Sequence, residues 1–374
     1  MRLVTLGPGH PFRGGIARTT TELVAALERH GHKLTFLTPT RQYPSLLFPG
    51  RRDRDPDACP HLLCAVPMLD PFAPTSWPRA RAAALAARAD AWIFPYWTWP
   101  WAGLWRFLLA TPGRPPTVAV VHNIEDHDAS LPARVVSRAV LARCEGAFTH
   151  ARALAAAMGV AGLGLKLASH PLPPPSAPLA VPGRPEARSR LGLPQDRHIA
   201  LFLGLIRPYK GVDRLVEAAA LPGAAEWSVV IAGEPWGRQR ESLEARVRGL
   251  DLEDRVLLRL GWVPEDDVTA YLAAADVLVL PYRRASQSAV APQALAAGLP
   301  VVCSAVGGLP EVVEDGVSGL LIGRGEPRQV AAALARLDEA ALARLSDGAR
   351  RRAAALTWDG YAAALEELLD GVVD

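Results

Sequence analysis

The chain has 374 residues, half of them hydrophobic and 21% charged, enough for two domains with a core each. Its 41 Lys+Arg and 38 Asp+Glu give 41 − 38 = +3, too mild a basic excess to mark a nucleic-acid binder. Charges interrupt every long apolar run, which excludes a transmembrane helix, and four scattered cysteines (Cys59, Cys64, Cys144, Cys303) lack metal-ligand spacing and fit a reducing compartment.

In chain order, residues 2–6 form a short apolar run that reads as a buried strand. It leads straight into a glycine turn, with no apolar h-region of a signal peptide, so a cytoplasmic enzyme is expected. Gly14 and Gly15 open a helix predicted over 16–30, Gly31 caps it, and 33–38 is the next strand. Strands are predicted at 91–95 and 117–122, the second ending on His122. The proline-dense run PLPPPSAPLAVPGRPEARSR follows and reads as a semi-rigid linker. The second half restarts with strands at 198–203, 227–232, 256–260, 277–280 and 300–304, with helices between. Such alternation predicts an α/β protein of two doubly wound, Rossmann-like domains with parallel sheets, the ligand lying in a cleft at the carboxyl ends of the strands. The boundaries are set at 1–168, a linker at 169–190, 191–357, and a helix at 358–374 packing back toward the N-terminal domain.

The turn LGLIRPYKG, 203–211, puts Arg207 and Lys210 three apart where a strand gives way to a helix. Two cations there make a clamp for a doubly charged phosphate leaving group. Pairing of Arg207 with a carboxylate and solvation of Lys210 are the alternatives. Seventy residues on comes PYRRASQSAVAPQALAAGLPVVCSAVGGLPEVVEDGVSGLLI. With the RPYKG turn, GWVP (261–264), the GGI turn (14–16) and VVHN (120–123), this order resembles the retaining family 4 glycosyltransferases, which have the GT-B fold. The resemblance covers most of the C-terminal half and thins in the N-terminal half.

The resemblance implies roles residue by residue. Arg207 and Lys210 grip the diphosphate of a nucleotide sugar. A helix over 290–297, with Pro292 in its first turn, aims free amides around Ser288, Ala289, Val290 and Ala291 at the same phosphates. Gly14 and Gly15 form the glycine loop beside diphosphate and acceptor, and His122 sits near the donor sugar. Gly233 and Glu234 flank the nucleotide, while Trp262 and Val263 hold the base through their backbone. The family's pair of glutamates eight apart falls here on Ala285 and Gln293. Gln293 retains a carbonyl for the ribose hydroxyls, at roughly 1 kcal/mol less than a carboxylate. Ala285 holds no sugar hydroxyl, so the polar run Ser286, Gln287 and Ser288 is expected to face the donor.

For the acceptor, Asn123 and His127 follow His122, and Trp97 and Trp99 stand in IFPYWTWPWAGLW. Alternation puts Trp97, Trp99 and Trp101 on one side of an extended segment, for sugar stacking, a lipid headgroup interface or plain packing. Arg51, Arg52 and Arg54 are a candidate contact with an anionic membrane surface, against a solvated loop as the alternative. Asp53 and Asp55 lie in that charged loop and Asp266 and Asp267 open a helix, so no metal and no cofactor is expected.

Three readings stand. The first is a retaining, metal-independent transferase moving sugar from a UDP- or GDP-sugar to a glycan, lipid-linked or small-molecule acceptor, cytoplasmic or peripheral on the inner membrane face. The second is a GT-B epimerase or phosphorylase-like enzyme, although pyridoxal chemistry would have to use Lys33, Lys166 or Lys210. The third is a non-catalytic subunit that binds nucleotide sugar, motivated by Ala285 and Gln293.

Overall fold

A computed structural model describes residues 1–12, 14–42, 65–123, 131–177 and 181–374. They form two compact units, Met1–Pro171 with Trp358–Asp374, and Leu172–Thr357. The first unit holds strands β1 (Arg2–Leu6), β2 (Lys33–Pro39), β3 (Ala65–Leu69), β4 (Ala91–Tyr96), β5 (Thr117–Val121), β6 (Gly146–Thr149) and β7 (Lys166–Ser169). They pair in parallel in the order β3-β2-β1-β4-β5-β6-β7. Every residue of β4 and β5 is buried, as helices on both faces of a parallel sheet require, and this is why those strands read as continuous apolar runs.

β3, β6 and β7 were not anticipated. GAFT and KLAS are four residues long and carry too few apolar side chains to give a period. The tryptophan segment differs more. After β4 the chain tightens into a 3₁₀ turn, Trp99–Trp101, which destroys the alternation of an extended strand. Trp97, 7% exposed, packs on Trp101 with ring centroids 4.8 Å apart, and Trp101 stacks on Trp105 at 5.4 Å. Trp99 faces away at 50% exposure. The expectation of a shared acceptor face for Trp97 and Trp99 is therefore corrected: Trp97 is core.

The helix Trp358–Val373 packs on helix Gly15–Arg29 and on β6 and β7. Tyr361, Leu365 and Leu369 supply its buried stripe. Around the rim, Arg29 pairs with Asp359 at 2.7 Å, and Glu366 lies 2.9 Å from His30 Nδ1 and 2.8 Å from His32 Nε2. Exposed pairs of this kind contribute about 0–1 kcal/mol each, so apolar burial holds the helix in place.

The second unit holds β8 (His198–Leu203), β9 (Trp227–Gly233), β10 (Val256–Leu260), β11 (Val277–Leu280), β12 (Val301–Ser304) and β13 (Gly319–Ile322), parallel in the order β10-β9-β8-β11-β12-β13. β13 was also missed. Part of the expected linker is helix: Arg184–Leu191 belongs to this unit and ends on a left-handed Gly192. Its Arg188 is buried against Asp276, Nη2 to Oδ2 2.7 Å, and also donates to the carbonyls of Ala274, Gln195 and Arg197. Among the described residues no helix is long and apolar enough to cross a membrane.

Candidate functional site

In the second sheet the strand order reverses between β8 and β11, the place where an open parallel sheet leaves a crevice for ligand. The loops leaving those two strands carry most of the residues singled out from the sequence. Gly204 follows β8 with φ 117°, and a Cβ there would stand 3.6 Å from Lys210 Nζ. Gly233 ends β9 with φ 152°, where a Cβ would run into the Gly204 carbonyl. The two strand exits are therefore pressed together as only glycine permits. Ile206 N donates to Glu234 O at 2.9 Å and Trp236 N to Ile206 O at 3.0 Å.

Pro208–Lys210 makes one 3₁₀ turn before Gly211 and the helix Val212–Ala219. The β11 loop locks onto this turn. Arg283 N donates to Tyr209 O at 2.8 Å, and its guanidinium makes a bidentate pair with Asp213 at 2.8 and 2.6 Å. Burial alone would raise the Asp213 carboxyl, but Arg283 outweighs it and holds Asp213 below the usual carboxylate range. Arg283 is thus neutralised where it stands.

Lys210 is not. Among the described residues it has no carboxylate partner; its Nζ lies 5.5 Å from the Tyr282 ring. The Arg207 guanidinium stacks at 4.5 Å over Trp236. Burial, and then repulsion from Arg207, lowers the Lys210 ammonium to about 8. The turn therefore carries two cations side by side, Lys210 half-buried and without a balancing acid among the described residues, a local field that an anion would relieve.

The rest of the β11 loop is braced from below. Gly307, φ 55°, sits where a Cβ would strike the Ala285 carbonyl, and Gly308 N donates to Ser286 O at 3.1 Å. Gly307→Ala is expected to push Ala285 and Ser286 out of place and cost roughly 1–3 kcal/mol, read by denaturant unfolding. Ser286 and Gln287 are half-buried and Ser288 buried. The short helix Val290–Ala296 follows Ala289. Val290 is half-buried and Ala291 fully buried, so Ala291 offers only backbone to a ligand. Gln293, 8% exposed, donates from Nε2 to Ala289 O at 3.1 Å, and its Oε1 is buried without a partner among the described residues. A buried, unused acceptor is costly unless something donates to it. Trp262, 46% exposed, and the half-buried Val263 follow β10 at the same edge of the sheet, where Gly261 N donates to Gly233 O at 3.0 Å.

The first unit carries the remaining candidates. Gly14, φ 104°, precedes helix Gly15–Arg29, whose N-terminus begins on Gly15. His122 and Asn123 leave β5, Asn123 half-buried. His122 is 2% exposed, its backbone N bonded to Tyr96 O at 2.9 Å. It lines a cavity of about 10 Å³, the room of about one water, together with Thr5, Thr19 and Thr20. His127, with Asp126 and Asp128, and the 51–55 loop lie outside the described residues. Among the described residues no group of three His, Cys, Asp or Glu gathers at metal-binding distance. Sequence reasoning missed Trp236, although an aromatic three residues past Gly233 was a usable signal, and it missed His150 and Tyr361, which contact His122 directly or through one another.

Comparison with known proteins agrees with this layout. Residues 13–161 match a family model described as Glycosyltransferase Family 4, and residues 197–339 one described as Glycosyl transferases group 1. A D-inositol 3-phosphate glycosyltransferase of Thermomonospora curvata is 39% identical over 203 residues, 51% of this chain and 47% of the relative. The matched stretch is thus about half the length of that curated relative. Among solved structures, the sucrose-phosphate synthase of Thermosynechococcus elongatus superposes with a TM-score of 0.77 at 22% identity over 99% of both chains. The Anabaena protein HepE, solved with UDP-glucose, does so with a TM-score of 0.74 at 18% identity, over 99% of this chain and 100% of that one. At such identities the two structures speak to fold alone.

Proposed function

The chain belongs to the family 4-type glycosyltransferases with the GT-B fold, and from that premise we propose that it transfers a sugar, with retained configuration, from a UDP- or GDP-sugar to a hydroxyl acceptor. One observation carries the reading: the half-buried Lys210, with no acid partner among the described residues, beside Arg207 at the carboxyl end of β8. In such a reaction the bond from the anomeric carbon to the β-phosphate oxygen breaks and its electron pair stays on the phosphate. The acceptor oxygen bonds to the anomeric carbon on the same face, and its proton passes to the departing phosphate. Negative charge develops on the leaving group, where fixed positive charge in a poorly hydrated site lowers the barrier most. Arg207 and Lys210 give that charge from the chain itself, which supports a metal-independent reaction. Gln293 Oε1 is the proposed acceptor for ribose hydroxyls, Trp262 and Val263 border the base, and His122 serves the donor sugar.

The test is a panel of UDP- and GDP-sugars with the matching nucleosides, read by thermal shift and by release of nucleoside diphosphate. UDP-glucose heads the donors because HepE binds it, and D-inositol 3-phosphate heads the acceptors because of the relative's name. Stabilisation by a sugar nucleotide together with acceptor-dependent turnover is expected. No stabilisation by any diphosphate would overturn the reading. A second reading, a nucleotide-sugar-binding subunit without turnover, is favoured by Ala285 standing where the family has a glutamate. Tight binding with neither transfer nor hydrolysis would select it.

Gln293→Glu is expected to tighten nucleotide binding by up to about tenfold, since an ionised acceptor is worth roughly 1 kcal/mol more to a hydroxyl donor. Calorimetry with the nucleoside diphosphate reads this. Weaker binding by a folded variant would remove Gln293 from the ribose.

A further inference from the structure

His122 does not stand alone. Its Nδ1 lies 2.9 Å from Nε2 of His150, the residue that leaves β6, and the two rings are 4.4 Å apart at 53°. His150 Nδ1 in turn lies 3.2 Å from the Tyr361 hydroxyl, on the helix Trp358–Val373. All three side chains are buried. Phe148, Trp358 and His170 pack their rings around Tyr361 and hold it in place. At the far end, His122 Nε2 is buried with no partner among the described residues.

A neutral imidazole has one N–H and one lone pair, so this three-membered chain has two internally consistent directions. Either the phenol donates to His150 and each ring donates onward, or each ring donates back and the phenol accepts. Both rings stay neutral, because burial drives each far below the usual histidine range, His150 to about 3. The phenol decides between the directions. Its hydroxyl has His150 as its one hydrogen-bond partner among the described residues. If it accepted, its own hydrogen would be buried with no acceptor among the described residues; if it donates, the one hydrogen left over stands on His122 Nε2, and His122 lines the cavity with room for about one water beside Thr5, Thr19 and Thr20, so that donor falls where it can be met.

We propose that Tyr361 acts through His150 to hold His122 in its Nε2–H tautomer, so that His122 presents a hydrogen-bond donor, not a base. Tyr361 donates to His150 Nδ1, His150 Nε2–H donates to His122 Nδ1, and the one remaining proton stands on His122 Nε2. Tyr361 and His150 are positioning residues. This rests on the transferase reading for its use: a donor at that atom suits a sugar hydroxyl or a developing negative charge, and cannot take a proton from an acceptor. A partner that sets a ring's tautomer is worth about tenfold to a hundredfold in activity where ligating histidines have been compared.

The experiment is nitrogen NMR of the whole chain labelled with ¹⁵N-histidine, without substrate, beside Tyr361→Phe and His150→Gln. In the unsubstituted chain His122 is expected to show a protonated Nε2 and an unprotonated Nδ1. Tyr361→Phe keeps the ring packing but removes the hydroxyl, and the His122 nitrogens are expected to move toward mixed tautomers, with kcat down about tenfold or more and the donor KM unchanged. His150→Gln keeps an amide N–H for His122 Nδ1 and is expected to retain the tautomer. A protonated Nδ1 in the starting chain, or nitrogen shifts unmoved by a folded Tyr361→Phe, overturns the proposal. The spectra are read without turnover. The expected shifts in a chain that transfers from no donor would sink the transferase reading and leave the tautomer assignment standing.

Discussion

Lys210→Ala is expected to lower kcat/KM for the sugar nucleotide about 10²–10³-fold, the loss seen when one preorganised donor to a developing oxyanion is removed. The argument is electrostatic. Arg283, a cation of the β11 loop, is spent on Asp213, whereas Lys210 faces no acid among the described residues. Removing it should weaken a nucleoside diphosphate far more than a nucleoside, because only the former carries the phosphates. Titration calorimetry with uridine and UDP, or their guanine counterparts, measures the difference. Equal losses for both ligands would take Lys210 out of the phosphate site.

The same residue gives a pH signature. Its ammonium, ordinarily near 10.5, is lowered to about 8 by burial and by Arg207. The charged form grips phosphate, so kcat/KM is expected to fall as pH rises through 8 in the free protein. A bound diphosphate raises that pKa, which moves the alkaline limb of kcat to higher pH. For stability the sign is opposite. Between about 8 and 10.5 the unfolded chain binds the proton that the folded chain has released, so this group makes the ligand-free fold more stable as pH rises across that window. Saturating diphosphate should erase that gain. Lys210→Met removes both effects if the assignment is right.

Asp276→Ala is expected to cost about 3–5 kcal/mol of the second unit's stability, the usual loss when one member of a buried ion pair is left behind. Asp276 accepts from Arg188 and from Ile199 N at 2.7 Å each, and Arg184 closes on its other oxygen at 2.7 Å. It thereby ties helix Arg184–Leu191 to the starts of β8 and β11, the two strands whose opposite ends carry the candidate site. The double change Arg188→Met with Asp276→Leu is expected to recover most of the loss, since it leaves no buried charge unpaired. Denaturant unfolding followed through Trp227 reads both. A single variant as stable as the parent would show that water reaches Arg188.

The phosphate turn was legible because its signals are local. A buried strand, an Arg and a Lys three apart, and a helix with apolar 212, 215, 216 and 219 all fall within one short stretch. The parallel sheets were legible for the same reason: β4, β5, β9 and β11 are apolar at every or nearly every position. What escaped is carried by contacts between distant residues. Arg188 and Asp276 lie 88 apart, and His150 and Tyr361 lie 211 apart, so no periodicity can pair them. The proline run hid helix Arg184–Leu191 because Pro185 reads as a breaker, although at a first turn it costs no hydrogen bond. Trp97 and Trp99 were misjudged because one 3₁₀ turn rotates them onto different sides, and tryptophan spacing alone does not reveal the turn. Gln293 was placed from its alignment, but its unused oxygen emerged only from the packing around it.

The helix that covers β6 and β7 is translated after the entire second unit. Between Pro171 and Trp358 the ribosome adds 357 − 171 = 186 residues, which takes about 10–40 s at ordinary elongation rates. For that interval Phe148, His150 and the strands beside them lack the cover this helix gives, and the nascent first half is an incomplete body offering a greasy face to chaperones. Slower synthesis or a depleted chaperone supply is therefore expected to lower the yield of folded chain.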